Sequence, residues 1–432
     1  MAAHTHQSLE VIYVLSRTFG HEVNGHYYLL KPGMVGVVRP GDHVRQLVPK
    51  EHDARALLIW APAGEAKRII ELRDGNAYQG TSRIRTPAVM PMKKVRLIAV
   101  LSALSLTASP WSIADVPPLP KTMVAAAIDR GGGPEVLSIH QLPVPKFGPG
   151  EVLIAVHAAG VGVWEAGIRQ HPGDGAKFPL VLGSDGAGAV AAVGSGVRGF
   201  KVGDQVYGAG GAFYAQYVTV RAADIAHIPK GIGPTEAGIL AISGLSALQG
   251  IDDVLELKAG DTLIIHGAAG GVGTLAVQFA KLRGLKVLAT ASNDEGLALL
   301  SRLGADAVVN GKTSDIAAAA QRFAPHGVDA VLGLAGGDAL ERCIDSLRND
   351  GRGRIAYLYG IEPLPKPRLG IRMTLYSYIS GVREFERLNA AVEAARLRVP
   401  IAAEYSLADA AKAHKRLEAG HLLGKILLHV HE

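Results

Sequence analysis

The chain has almost no sulfur with which to build a site: its 432 residues contain one cysteine, Cys343. A single thiol cannot close an intrachain disulfide, and it excludes every zinc site that needs two or more thiolates. Cys343 lies in "GDALERCIDSLRNDG", an amphipathic helical pattern in which a buried, unreactive thiol is expected. Aromatic residues are 5% and charged residues 19% against 48% hydrophobic, a balance that fits a folded globular chain rather than a disordered one. The net charge is +6, yet no run of Lys and Arg is interleaved with aromatics, so nucleic acid is not an expected partner.

Long apolar runs are also missing. The apolar part of residues 92–114, "MKKVRLIAVLSALSLTASPWSIA", is too short for a membrane-spanning helix, so stable membrane insertion is not expected. Basic residues first, then apolar or small ones, then a Ser-x-Ala ending give it the anatomy of a secretory signal, with cleavage expected after Ala114. Two readings are open. If translation starts at Met90 or Met92, the protein is exported or periplasmic; if the upstream start is used, it is cytoplasmic and the segment is an apolar helix or linker. A proline-rich connector, "DVPPLPK", follows.

Length alone points to two or three domains. Residues 1–90 read as short strands such as "EVIYVLS", "HYYLLK" and "ARALLIWA". "HTHQSLE" sets His4, His6 and Glu10 close together, with His43 further on, a donor set able to take Fe(II), Mn(II) or Zn(II). This part resembles a truncated cupin, a small all-β segment. Arg17 replaces the glycine that ends the cupin motif, and His43 comes one residue early, which in a strand turns its side chain to the opposite face.

Glycine is abundant, with 53 residues, and its arrangement carries the strongest signal. "DTLIIHGAAGGVGTLAVQFAKLRG" runs from a short apolar strand through Gly267, Gly270, Gly271, Val272 and Gly273 into a helical pattern. Without β-carbons there, a pyrophosphate can approach the helix N-terminus, where free N–H groups favour anions. Further strand and helix patterns follow at βαβ spacing, so residues 244–381 are expected to form a Rossmann, doubly wound nucleotide-binding domain. NAD sites usually place an acid about twenty residues after the loop. Here the second strand ends in Thr290, Ala291, Ser292 and Asn293. Ser292 and Glu295 have capping-box spacing, which assigns the nearby acids to the next helix. A neutral pocket of Ser292 and Asn293 predicts NADP(H), although no arginine sits at the strand tip.

Residues 123–243 have many glycines and frequent turn signals, and read as an antiparallel barrel. "GPGEVLIAVHAAGVG", "FPLVLGSDGAGAVAAVGSGVRGFKVGDQVY", "HGAAGGVGTLAVQFAK" and "AHKRLEAGHLLGKILL" occur in order. Together they resemble the medium-chain dehydrogenase/reductase superfamily, in its zinc-independent quinone oxidoreductase (zeta-crystallin-like) branch. The resemblance implies an α/β fold with a GroES-like β-barrel catalytic domain at 123–243, joined by a returning segment at 382–432. Residues 91–122 are then the signal-like segment and linker. The family's zinc ligands are replaced by Gly162 and by Gly183-Ser184-Asp185. Without a Lewis acid, simple alcohol dehydrogenation is not expected, and a quinone or α,β-unsaturated carbonyl is the implied acceptor.

The resemblance places Gly162, Trp164 and Glu165 at the cleft, with Tyr207, Tyr214 and Tyr359 as candidate proton donors. Each has a structural alternative, such as domain packing for Trp164 or a salt bridge for Glu165. It also places Ala335, Gly336 and Tyr359 near the nicotinamide half, puts Lys425 of "GKILL" close to the cofactor, and implies a homodimer. The loop "AGGA" between "GDQVYG" and "FYAQYV" is shorter than the family's. Two other readings stay open: a non-catalytic, crystallin-like NADPH-binding protein, and metal or small-molecule binding through the N-terminal segment.

Overall fold

The computed structural model describes residues 119–431 in full and, between residues 4 and 61, the backbones of seven strands. The chain divides into two units, Met1–Pro110 and Trp111–Glu432. In the first, β1 (His4–Thr5), β2 (Leu9–Ser16), β3 (Phe19–Val23), β4 (His26–Leu30), β5 (Val35–Val38), β6 (His43–Leu47) and β7 (Arg55–Ala61) form two antiparallel sheets, ordered β1-β6-β3-β4 and β5-β2-β7. The side chains of His4, His6, Glu10 and His43 lie outside the described residues, as does the signal-like segment. The cupin resemblance therefore rests on the sequence alone.

The second unit begins with β8 (Thr122–Ile128), β9 (Leu137–Pro143) and β10 (Glu151–Val161). Helix α1 (Val163–Gln170) and strands β11 (Leu180–Val181), β12 (Asp185–Val193), β13 (Gln205–Ala209), β14 (Tyr217–Arg221) and β15 (Ile225–His227) follow. β10 is the axis of this barrel domain, pairing antiparallel with β12 and β14. Val152, Leu153, Ile154 and Val156 are fully buried, so both faces of β10 are covered. Burying each such side chain contributes about 1.5–3 kcal/mol, which explains a long apolar strand without polar alternation.

Helix α2 (Ala241–Gln249) leads into the nucleotide domain. There β16 (Thr262–His266), α3 (Gly271–Leu282), β17 (Lys286–Ala291), α4 (Asp294–Arg302), β18 (Ala307–Asn310), α5 (Ile316–Phe323), β19 (Ala330–Gly333), α6 (Asp338–Asp345), β20 (Arg354–Leu358) and β21 (Arg372–Tyr376) alternate. The sheet is parallel throughout, ordered β18-β17-β16-β19-β20-β21. Leu263 and Ile265 pack on one face with Phe279 and Phe385, while Ile264 packs on the other with Leu288 and Leu340. That period of two, apolar on both sides, is what a doubly wound sheet requires. Cys343 lies in the second core; burial pushes its thiol up to about 12, so it is not a nucleophile at neutral pH.

Strand order reverses at β16, whose neighbours β17 and β19 leave in opposite directions, and a crevice opens beyond its C-terminal end. After α7 (Val382–Ala395) come β22 (Ile401–Ser406), α8 (Ala410–Glu418) and β23 (Lys425–His429). β23 pairs antiparallel with β10, so the C-terminus completes the barrel and carries the chain back past the crevice. Helix α7, at the start of the expected returning segment, packs on α2 and α3 as well as on β15.

Candidate active site

The crevice is built around one turn. β16 ends at His266, and Gly267 takes φ +75°, a conformation that a β-carbon disfavours. Gly270 caps α3 without any side-chain bond, so the first-turn amides face a cavity lined by Gly267, Gly270, Gly271, Val272 and Gly273. A β-carbon on Gly273 would lie 2.5 Å from the backbone of Ala268, so the loop packs against α3 only because Gly273 has none. Open amides, a glycine cradle and a twelve-residue helix pointing its positive end at the cavity suit a pyrophosphate.

The C-terminal return closes the other side. The Gly424 N–H donates to the Ala269 carbonyl at 2.8 Å, and Gly424 bridges to Gly270. Lys425 then points across the domain boundary, its Nζ donating to both carboxylate oxygens of Asp185 at 2.8 Å. The same Nζ lies 4.7 Å from the Trp164 ring centroid, within cation–π range. Trp164 folds back over Gly162: a β-carbon at 162 would come within 2.6 Å of the indole.

The cavity has a volume of about 190 Å³. Its barrel wall is Val161, Gly162, Val163 and Trp164; Leu334, Leu358, Tyr359 and Ile361 line the nucleotide-domain side, with Ser243 and Lys425 between. Most of this lining is apolar, as in small-molecule sites generally.

The sequence candidates separate into those the structure brings to this cavity and those it does not. Gly162, Trp164, the loop residues Gly267, Gly270, Gly271, Val272 and Gly273, Tyr359 and Lys425 all line it. Glu165 lies one layer behind. Its carboxylate accepts from the Gly162 N–H at 2.7 Å and the Ser184 N–H at 2.9 Å, and among the described residues it takes part in no salt bridge. Burial raises its pKa to about 7, opposed by the Lys425 charge and reinforced by that of Asp185.

Tyr214 is corrected as a cleft residue. It is fully buried in the barrel core, its hydroxyl paired with His414 Nε2 at 3.2 Å, and burial holds its pKa well above the usual phenol value. Tyr207 is likewise buried and donates to Asn389 Oδ1 at 2.7 Å. Ala335 packs behind Gly267, and Gly336 against the backbone of Glu362 and Pro363, while Leu334 is the residue of that turn that faces the cavity.

At the end of β17 the helix cap falls one residue later than its spacing suggests. Asn293 is the N-cap of α4, and its Oδ1 accepts from the Gly296 N–H at 2.9 Å. The cap occupies only the Asn293 oxygen, so its Nδ2 amide can still donate to a phosphate, and Ser292 stays available beside it. Ser292 Oγ lies 2.9 Å from His421 Nδ1, and Lys312 donates to His421 Nε2 at 3.1 Å. The ammonium can only donate, so Nδ1 carries the proton and donates to Ser292. Lys312 and His421 were missed in the sequence because they stand 20 and 129 residues from Ser292 and carry no motif.

Among the described residues there is no group of three or more His, Cys, Asp or Glu side chains that could hold a metal ion. Among the same residues no helix is long and apolar enough to cross a membrane.

Comparison with known proteins gives two family matches: an alcohol dehydrogenase GroES-like domain at residues 148–230 and a zinc-binding dehydrogenase at residues 303–428. The human quinone oxidoreductase is 31% identical over 71% of this chain and 98% of its own length. A 2-haloacrylate reductase from a Burkholderia species is 30% identical over 71% of this chain and 98% of its own. The crystal structure of the Escherichia coli quinone oxidoreductase complexed with NADPH superposes with a TM-score of 0.65 at 27% identity, covering 71% of this chain and 100% of that one.

Proposed function

The chain belongs to the medium-chain dehydrogenase/reductase superfamily, and from that premise we propose that it is an NADPH-dependent oxidoreductase that transfers hydride, without zinc, to a quinone or an α,β-unsaturated carbonyl. The observation that carries this reading is the cavity itself, with a glycine cradle on one wall and an apolar barrel wall on the other. Similarity to quinone oxidoreductases, and to a solved relative complexed with NADPH, supports the same reading.

The loop from Gly267 to Gly273 and the α3 N-terminus would hold the pyrophosphate, and Ser292, Lys312 and His421 the 2′-phosphate. Two basic side chains and a hydroxyl stand where an NAD site would carry an acid. Bound there, the cofactor supplies the hydride. The chain's own contribution is orientation and the exclusion of water: Val161, Val163, Leu334 and Ile361 offer no polar side chain that would compete for the acceptor. Where zinc-dependent relatives place a ligand, Gly162 offers none, and the Asp185 carboxylate is committed to Lys425. An acceptor that is already electrophilic needs no Lewis acid, because its reduced form spreads the charge by resonance. A homodimer is part of the proposal; β21 ends the six-stranded order, with Leu369 and Leu375 exposed beside it.

The test is consumption of reduced cofactor with benzoquinone and phenanthrenequinone, with and without EDTA, and with NADH as control. EDTA-insensitive turnover that prefers NADPH is the expected result. Tight NADPH binding without consumption would replace the proposal with a binding protein, and loss of activity with EDTA would overturn the zinc-free mechanism.

A further inference from the structure

Two buried polar atoms on residues that line the cavity have no partner among the described residues. The Trp164 indole N–H and the Ser243 hydroxyl are buried, and neither has a hydrogen-bond partner among the described residues. Both residues line the cavity. An unsatisfied buried donor costs about 1–3 kcal/mol, so such groups are uncommon without a reason, and two around one apolar cavity point to a ligand that satisfies them.

One of them stands beside a fixed cation. Lys425 Nζ lies 4.7 Å from the centre of the Trp164 ring. A β-carbon on Gly271 would sit 3.1 Å from Lys425 Cβ and 3.5 Å from Ser243 Oγ, so the lysine stem and the hydroxyl both approach Gly271. The ammonium is held by Asp185 and cannot swing to a ligand without leaving a buried carboxylate unpaired. The indole nitrogen can only donate, and the hydroxyl is free to donate. The complementary ligand atom is an oxygen that only accepts: a carbonyl, or the oxyanion it becomes.

We propose that Trp164 Nε1 and Ser243 Oγ bind the carbonyl oxygen of the acceptor and stabilise the negative charge that reduction places on it, with Lys425 as a fixed cation behind them. The inference rests on the hydride-transfer reading above and names the part of the protein that does the work of the missing Lewis acid. The electrons balance in one step. Hydride from the reduced nicotinamide forms a C–H bond at the β-carbon of the acceptor, and the C=C pair moves to join the α-carbon and the carbonyl carbon. The C=O π pair passes to oxygen as the enolate, and the nicotinamide is left oxidised; for a quinone, a proton shift from the newly reduced ring carbon to the second oxygen then gives the hydroquinone anion. Solvent supplies the proton afterwards. Donors preset at the place where charge develops need no reorganisation during the step, and the apolar walls strengthen them.

The experiment uses the full chain and the variants W164F and S243A. Trp164→Phe keeps an aromatic ring over Gly162 and Lys425 but removes the N–H; Ser243→Ala removes the hydroxyl. Each is expected to lower kcat for quinone reduction about tenfold or more, with KM changed less than about twofold, because the interaction strengthens in the transition state. A readout that packing alone would not move is p-nitrophenol, a stable phenol whose phenolate is coloured. Bound to the oxidised-cofactor complex, it should ionise at lower pH than in free solution, and each variant should return that ionisation toward the free value.

Unchanged kcat and unchanged p-nitrophenol ionisation in both variants, with wild-type turnover intact, would overturn the inference and leave the proposed function standing. Preferential phenolate binding that both variants abolish, in a protein that reduces no quinone or enone, would support the oxyanion site while sinking the hydride-transfer reading.

Discussion

Lys425 and Asp185, 240 residues apart in the chain, form a doubly hydrogen-bonded ion pair that is 5% and 0% exposed. The pair ties β23 to β12 under the cavity floor, and Asp185 also accepts from the Ile242 N–H at 3.3 Å, which links the barrel to α2. Asp185→Ala leaves the ammonium buried without its counter-ion, and should lower stability by about 3–5 kcal/mol. The double change Asp185→Leu with Lys425→Met should recover much of that loss, because neither charge then remains unpaired. Denaturant unfolding of the wild type and the two variants measures it, and equal losses in the single and double variants would show that the cost lies in packing rather than in the unpaired charge.

Glu165 gives a pH dependence with a definite sign. Its folded-state pKa, about 7, stands above the ordinary 4.5, so between these values the folded chain keeps a proton that the unfolded chain has lost. Stability therefore falls as pH rises from 4.5 toward 7, by an amount on the order of 3 kcal/mol at about 1.4 kcal/mol per tenfold. Glu165→Gln should flatten that part of the stability profile. A variant that loses stability across the same window as steeply as wild type would refute the assignment.

The Ser292–His421–Lys312 cluster should decide between the two nicotinamide cofactors. Removing a hydrogen bond to a charged group is worth about 1.5–3 kcal/mol, so Lys312→Ala or His421→Ala should weaken NADPH binding about tenfold or more. NADH binding should stay within about twofold, since it has no phosphate to lose. Fluorescence titration with both reduced cofactors provides the comparison, and parallel loss of both would place the cluster outside the cofactor site.

Gly273→Ala tests the cradle. The added carbon meets the Ala268 backbone at 2.5 Å, which no rotamer relieves, so the loop must move away from α3. Both cofactors should bind at least about tenfold more weakly, unlike the selective loss expected at His421, and the melting temperature should drop. Unchanged affinity for NADH and NADPH would mean that the loop does not carry the pyrophosphate.

Much of the nucleotide domain was legible because its signals are local. "TLIIHG" shows a strand by composition, the next glycines show a turn by their missing β-carbons, and "TLAVQFAKLRG" shows a helix by period, all within some twenty residues. The site was legible where a motif is continuous and obscure where it is assembled. Tyr214 and Tyr207 look identical to Tyr359 in sequence, yet two face the interior and one is 78% exposed at the cavity mouth. Nothing in the flanking residues distinguishes them, because the burial of each ring depends on which distant element packs against it.

The sequence by itself determined the parallel sheet and the glycine cradle, since each depends on residue type over a short span, and its single cysteine excluded any zinc site built on two or more thiolates. Tertiary structure decided which residues surround the cofactor's phosphate and the acceptor. His421 reaches Ser292, and Lys425 reaches Asp185, only because β23 returns to pair with β10 and carries the preceding turn across the crevice. Those contacts depend on chain closure over more than a hundred residues, and their stability comes from burial that no local pattern records.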